Sequence, residues 1–90
     1  MPGGGAHLRE ARARCHDARD AFFASLEGVN DAWRAGDPIP EPCAETRAAY
    51  VAACPKSWVG HFDKDHTQRK ALARFLAQGE ARAKEAQSKP

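Results

Sequence analysis

With 90 residues the chain is one domain at most, and a core that small is marginal without a staple or a partner. Hydrophobic residues make up 42%, but alanine supplies much of that share and buries little area, so the three cysteines are the natural source of covalent help. Charged residues reach 29% and nearly cancel at net +2, too little to argue for nucleic acid or an anionic membrane, and no stretch is apolar enough to span a bilayer.

Residues 1 to 7, with Pro2-Gly3-Gly4-Gly5, read as a flexible lead-in that lacks the apolar stretch of a secretory signal. Arg9, Arg12, Arg14 and Arg19 lend the next segment the look of a transit peptide, but Glu10, Asp17 and Asp20 count against it. A first helix is expected from about residue 7 to residue 27. Leu8, Ala11, Cys15, Ala18, Phe22, Ser25 and Leu26 step by three and four along one face. Gly28 and Asn30 are its plausible stops.

Residues 28 to 41 read as a connection, because Gly36, Asp37, Pro38, Pro40 and Pro42 forbid a continuous helix. Trp33 is its one large aromatic and is expected to dock on the hairpin. A second helix is expected from about residue 42 to residue 54, with Pro42 at its first position and a stripe of Cys43, Arg47, Tyr50, Val51 and Cys54. Pro55 ends or kinks it. Ser57 caps a short third piece carrying Trp58 and Phe62. A fourth stretch runs from about residue 64 to residue 78, with Ala71, Leu72, Phe75 and Leu76 as its apolar face. Gly79 interrupts it, and residues 80 to 90 form a polar tail expected to fray. No repeat and no strand signal is present. The organisation expected is therefore a lead-in at 1–7, a helical unit at 8–79 and the tail.

The cysteine spacing has a geometric consequence. Cys43 and Cys54 are eleven residues apart, so on a helix they share a face, roughly 20° off and about 16 Å apart along the axis. That is too far for a mutual disulfide, which needs Cα atoms within about 7 Å. Cys15 and Ser25 lie about 15 Å apart on their own helix. If the two helices pack antiparallel, Cys15 faces Cys54 and Ser25 faces Cys43. One disulfide, Cys15–Cys54, would follow, with Cys43 left over. Spacing alone does not choose between that arrangement and three reduced thiols packed as small apolar residues. The pattern fits structural zinc poorly, since it lacks the close cysteine pairs of such sites.

Two segments carry a resemblance. Cys15-His16-Asp17-Ala18-Arg19-Asp20-Ala21-Phe22-Phe23-Ala24-Ser25-Leu26 resembles the first helix of the cytochrome c oxidase assembly factor 6 family, in which a cysteine is followed by Arg-Asp, two aromatics and a second cysteine. Cys54-Pro55-Lys56-Ser57-Trp58-Val59-Gly60-His61-Phe62-Asp63-Lys64 resembles the same family's Cys-Pro-x-x-Trp-x-x-x-Phe-Asp-Lys run. The likeness spans about residues 8 to 79. The related oxidase subunit VIb shares the twin-cysteine hairpin and the Cys-Pro-x-x-Trp run. Arg19-Asp20-Ala21-Phe22-Phe23, Phe62-Asp63-Lys64 and the long helix beyond favour the assembly factor. Two departures stand out: Ser25 replaces the second cysteine, which removes the inner disulfide, and His16 replaces an aromatic.

The resemblance implies an all-α fold, an antiparallel helix–turn–helix hairpin (CHCH-like) stapled by one disulfide, with an additional C-terminal helix. It implies residence in the mitochondrial intermembrane space and a part in complex IV assembly, at maturation of the copper site of oxidase subunit II. The partners implied are subunit II and copper metallochaperones. The alternative is a permanent accessory subunit bound to mature complex IV or another respiratory complex. An enzyme is not expected, because a thiol–disulfide oxidoreductase needs a resolving thiol that Ser25 does not supply. Cys43 remains as a free thiol or a contact for transient Cu(I), with an inert buried thiol as the plainer reading. His16 and the His61/His66 pair are further copper candidates, set against ordinary solvated or satisfied histidines. Trp58 and Phe62, with Phe75, are candidates for a partner interface, although Trp58 more readily caps the disulfide end. Arg69, Lys70 and Arg74 form a basic face suited to acidic partners or simply to solvent.

Overall fold

A computed structural model describes the backbone over residues 4–88 and the side chains over residues 8–79. Helix α1 spans Gly4–Leu26. A connection leads to a 3-10 turn at Glu41–Cys43, which runs into α2, Ala44–Ala53. After Cys54 and Pro55 comes α3, Lys56–Ser88. No strand occurs among the described residues. Helices α1 and α2 pack antiparallel, the hairpin that the resemblance implied.

The boundaries follow local chemistry. Helix α1 starts earlier than expected, inside the glycine run, and closes where the Val29 and Asn30 N–H groups both donate to the Leu26 carbonyl at 3.0 and 2.8 Å. Gly28 sits there at φ +79°, a conformation that other residues rarely adopt. In the connection the Arg34 N–H donates to Asp37 Oδ2 and the Asp37 N–H returns to the Arg34 carbonyl, at 3.0 and 2.9 Å. Gly36, at φ +95°, makes that tight return feasible. The second helix was expected as one piece from residue 42. Its first turn is 3-10 instead: the Cys43 N–H donates to the Pro40 carbonyl at 2.9 Å and the Ala44 N–H to the Glu41 carbonyl, three residues back in each case. Cys54 is extended, at φ −114° and ψ 146°, as the residue before a proline prefers.

The expected third and fourth pieces prove to be one helix. Nothing between Trp58 and Lys64 breaks it, and Thr67 Oγ1 donates back to the Asp63 carbonyl at 2.9 Å inside it. Gly79 does not stop it either, and the backbone stays helical to Ser88, through the part of the expected polar tail that lies within the described residues. A lone glycine costs a helix about 1 kcal/mol relative to alanine. Flanking Ala, Gln, Glu, Arg and Lys offset that.

The core is small and aromatic. Phe22, Leu26, Trp33, Tyr50, Cys15 and Cys43 are fully buried, joined by Cys54 and Val59. Phe22 stacks on Tyr50, with ring centres 5.6 Å apart, and meets Trp33 edge-on at 5.6 Å. Trp33 docks as expected, and its indole N–H donates to the Pro38 carbonyl at 3.2 Å. The connection is thereby folded onto the hairpin. The Ala35 N–H also donates to Thr67 Oγ1 of α3 at 2.8 Å. Leu8 and Val51 were placed on inward stripes, but both face solvent.

Candidate functional site

The two cysteine levels of the hairpin are closed differently. At the outer level Cys15 and Cys54 form a disulfide, with Cα atoms 4.8 Å apart across 39 positions of chain. At the inner level Cys43 is a free, buried thiol that donates to the Ser25 carbonyl at 3.2 Å. Ser25 Oγ lies 2.6 Å from the Phe22 carbonyl and 2.8 Å from Thr46 Oγ1, which lies 3.0 Å from the Cys43 carbonyl. Each hydroxyl has one proton. The chain therefore runs either Thr46 to Ser25 to Phe22, or Ser25 to Thr46 to Cys43. Either order ties α1 to the start of α2 without a covalent bond.

A second constellation fixes α3 to the hairpin. Asp63 is 6% exposed, and its Oδ1 accepts from Arg47 Nη1 at 3.0 Å. The Tyr50 hydroxyl lies between Asp63 Oδ1 at 3.3 Å and the Val59 carbonyl at 3.2 Å, and can donate to one at a time. The Arg47 guanidinium also sits over the rings of Phe22, Tyr50 and Trp33, 5.0, 5.3 and 5.8 Å from their centres. Burial, followed by the Asp63 charge, pushes the Tyr50 phenol well above its ordinary range, so it stays a neutral donor. Arg47, Tyr50 and Asp63 were not singled out as a site from the sequence. The available signal was a cation in the apolar stripe of the second helix.

The predicted histidines are held by rings. His16 meets Phe62 edge-on at 5.8 Å, His61 leans on Phe62 at 5.8 Å, and His66 stacks flat on Phe23 at 4.1 Å. His61, His66 and Asp65 line a groove of about 330 Å³ between α1 and α3. Among the described residues no three His, Cys, Asp or Glu side chains converge as metal ligands. Cys43 offers one buried sulfur and is not brought to any of these histidines in such a group.

What the arrangement does offer is surface. At the disulfide end an open groove of about 460 Å³ lies between Leu8 and Ala11 of α1 and Trp58 of α3, with Cys15, Cys54 and Pro55 along it. Trp58 is 37% exposed, so it flanks the disulfide without being buried by it. Phe62 is half-buried, with the Arg19 guanidinium 4.6 Å from its ring centre. Arg12 lines this groove and the one beside it. Arg69 pairs with Asp65 at 2.9 Å, Lys70 is half-buried, and Arg74 is exposed. Phe75 does not join Trp58 and Phe62. It lies further along α3, 70% exposed.

An all-helical hairpin held by one interhelical disulfide, extended by a long third helix, defines a twin-cysteine class of small protein. Residues 6–76 match the family model of cytochrome oxidase c subunit VIb. Over 69 residues the chain is 32% identical to the cytochrome c oxidase assembly factor 6 homolog of Mus musculus, across 76% of this chain and 77% of that protein. The chain belongs to this cytochrome oxidase c subunit VIb and assembly factor 6 family. No solved structure matches it significantly. Membership places it among proteins related to cytochrome c oxidase.

Proposed function

We propose that this chain is a non-enzymatic factor of the mitochondrial intermembrane space that assists cytochrome c oxidase assembly. Its step is maturation of the copper site of subunit II, where it docks transiently on subunit II or on a copper metallochaperone. The observation that carries this reading is the identity to an assembly factor across three quarters of both chains. The chemistry supports docking over catalysis. Once Cys15 and Cys54 are bridged, Cys43 has no resolving thiol in this chain, so a dithiol cycle is not available to the monomer. The exposed face of Trp58, with Phe62 and Arg12 beside it, combines the residue types that anchor interfaces. Arg69, Lys70 and Arg74 steer the chain towards acidic surfaces. Copper is cargo of the partners here, and any Cu(I) contact at Cys43 would be transient.

A second reading, a permanent accessory subunit, is favoured by the description of the matching family model. Fractionation of solubilised respiratory complexes separates the two. The assembly reading expects the chain to be absent from mature complex IV, with subunit II and its copper lowered when the chain is depleted. Stoichiometric presence in the mature complex overturns it. Replacing Cys43 with Ser is expected to leave oxidase biogenesis intact, and a loss of oxidase would restore the oxidoreductase alternative.

A further inference from the structure

Two open grooves, of about 460 and 380 Å³, flank Trp58 at the disulfide end. Leu8, 64% exposed, walls the larger one on α1, and Trp58 walls it on α3. Its floor is the Cys15–Cys54 pair with Ala11, Ala52 and Ala53, whose short side chains give it depth. The smaller groove lies between Trp58, His16, His61 and Phe62. Both volumes fall within the range of about 300–1,000 Å³ that encloses a compact ligand. A flat bilayer would rest on the Leu8 and Trp58 ridges and leave the floors empty.

Charge at these grooves has one sign. Arg12 lines both, and no Asp or Glu lines either. Leu8, Arg12 and His16 are spaced by four along α1, so the cation stands on the same helix face as the apolar wall. The nearest acids in sequence, Glu10 and Asp17, lie two and five residues from Arg12, about 140° or more round the helix. Asp20 and Asp65 line the next groove along, and each is paired with an arginine at 2.9 Å, Arg19 and Arg69 respectively. Arg12 has no such pair among the described residues. The two indoles differ in the same way. The Trp33 N–H is satisfied by the Pro38 carbonyl, whereas no described residue accepts from the Trp58 N–H. An uncompensated guanidinium and an open indole N–H between two apolar recesses match an occupant that carries acceptors beside apolar side chains.

We infer that the two grooves beside Trp58 receive a short segment of a partner protein in which large apolar residues alternate with Asp or Glu. The apolar side chains enter the recesses on either side of Trp58, and a carboxylate between them pairs with Arg12. The inference rests on the reading of the Trp58 face as the docking surface and specifies what docks there. Apolar walls alone would accept many sequences, and Arg12 excludes the basic ones. One cation at the rim contributes salt-sensitive selectivity more than affinity.

The test is an NMR titration of the full, disulfide-bonded, isotope-labelled chain with three end-blocked peptides: Glu-Leu-Glu-Phe-Glu, Lys-Leu-Lys-Phe-Lys and Glu-Ser-Glu-Ser-Glu. The first is expected to shift the Trp58 indole signal and the amides of residues 8 to 16 saturably, at millimolar concentration, while the Trp33 indole stays in place. The other two should bind about tenfold more weakly or less. Trp58→Ala and Arg12→Glu should each weaken the first peptide about tenfold, and Arg12→Glu should turn the preference towards the lysine peptide. Both positions are exposed, so helical content and the Cys15–Cys54 bridge should be unchanged, as circular dichroism and intact mass will show. No saturable shift with the first peptide, equal binding of either control peptide, or indifference to Arg12→Glu overturns the inference. So does a wild-type dimer in analytical ultracentrifugation that Arg12→Glu dissociates, since a second copy then fills the grooves. So too does sedimentation with phosphatidylserine vesicles that Trp58→Ala abolishes, since a bilayer then covers the face. The fractionation on which the assembly reading is judged uses no peptide, so either result can fail while the other stands.

Discussion

The outer and inner levels of the hairpin do the same job by different means, and their surroundings explain why. The Cys15–Cys54 level lies where the neighbours are thin: Leu8, Val51 and Trp58 are all substantially exposed, and an open groove runs alongside the two cysteines. Little buried area holds the helices together there, so the covalent bond carries the load. The Ser25–Cys43 level lies beside Phe22, Leu26 and Trp33, none more than 2% exposed. Aromatic packing already fixes the helix separation at that end. A hydrogen-bonded serine, threonine and thiol suffice to fill the space between, and a second disulfide is dispensable.

This contrast can be broken most severely at the outer level. Cys15→Ser with Cys54→Ser releases a loop of 39 positions, which on the chain-entropy model lowers stability by about 4 kcal/mol. Urea unfolding read by circular dichroism should show a much lower midpoint or no cooperative transition. A midpoint within error of wild type would mean that the aromatic core holds both ends.

The next largest effect is expected at the junction with α3. Arg47→Met leaves Asp63 buried without its cation, and breaking a buried pair in this way costs about 3 kcal/mol. Asp63→Asn in the Arg47→Met background should restore part of the loss, because the uncompensated charge is then gone. Additive losses in that double-mutant cycle would show that the two side chains act independently.

At the inner level the effects are smaller and of opposite sign. Ser25→Ala removes a hydroxyl from a satisfied chain and should cost about 1 kcal/mol. Ser25→Cys places a thiol opposite Cys43. It should close a second bridge, seen as the loss of two hydrogens in intact mass, and raise stability by about 2 kcal/mol. A variant that keeps two free thiols under oxidising conditions would show that the inner level is spaced for hydrogen bonds only.

The sequence made the rungs legible because eleven-residue spacing is a rigid property of helices, which matches Cys15 with Cys54 once the helices pack antiparallel; that the thiols are bridged needed the family resemblance as well. The docking of Trp33 was legible in part, since the one large aromatic of a short connection either packs on the hairpin or marks a contact surface, and burial of an indole favours the first. The continuity of α3 was not. Gly79 read as an interruption when taken by itself, whereas helix formers on both sides outweigh it. The Arg47–Tyr50–Asp63 cluster was hidden because its members come from two helices whose mutual placement no periodicity states. Trp58 and Phe75 looked alike as aromatics beyond the rungs. Only the direction of α3 separates one beside the disulfide groove from one on the free half.

The smallest effect comes from the place where α3 meets α1, and its sign can be worked out. His66 lies flat on Phe23, and burial, then the nearby Lys70, lower its pKa from the ordinary value of 6.5. Asp63 and Asp65 on its own helix and Glu27 beyond the end of α1 pull weakly the other way. The folded chain thus binds a proton at His66 less readily than the unfolded chain does. Stability from the neutral ring is fully present above about pH 6.5 and is lost as pH falls through the unfolded value towards the lower folded one. Urea midpoints should therefore drop between about pH 7.5 and about pH 5.5. His66→Phe keeps a ring on Phe23 and has nothing to protonate, so it should flatten that part of the profile while leaving the midpoint at the higher pH nearly unchanged. If the variant falls as steeply as the wild type, the titration belongs to another group and the stack on Phe23 is insensitive to the charge of its partner.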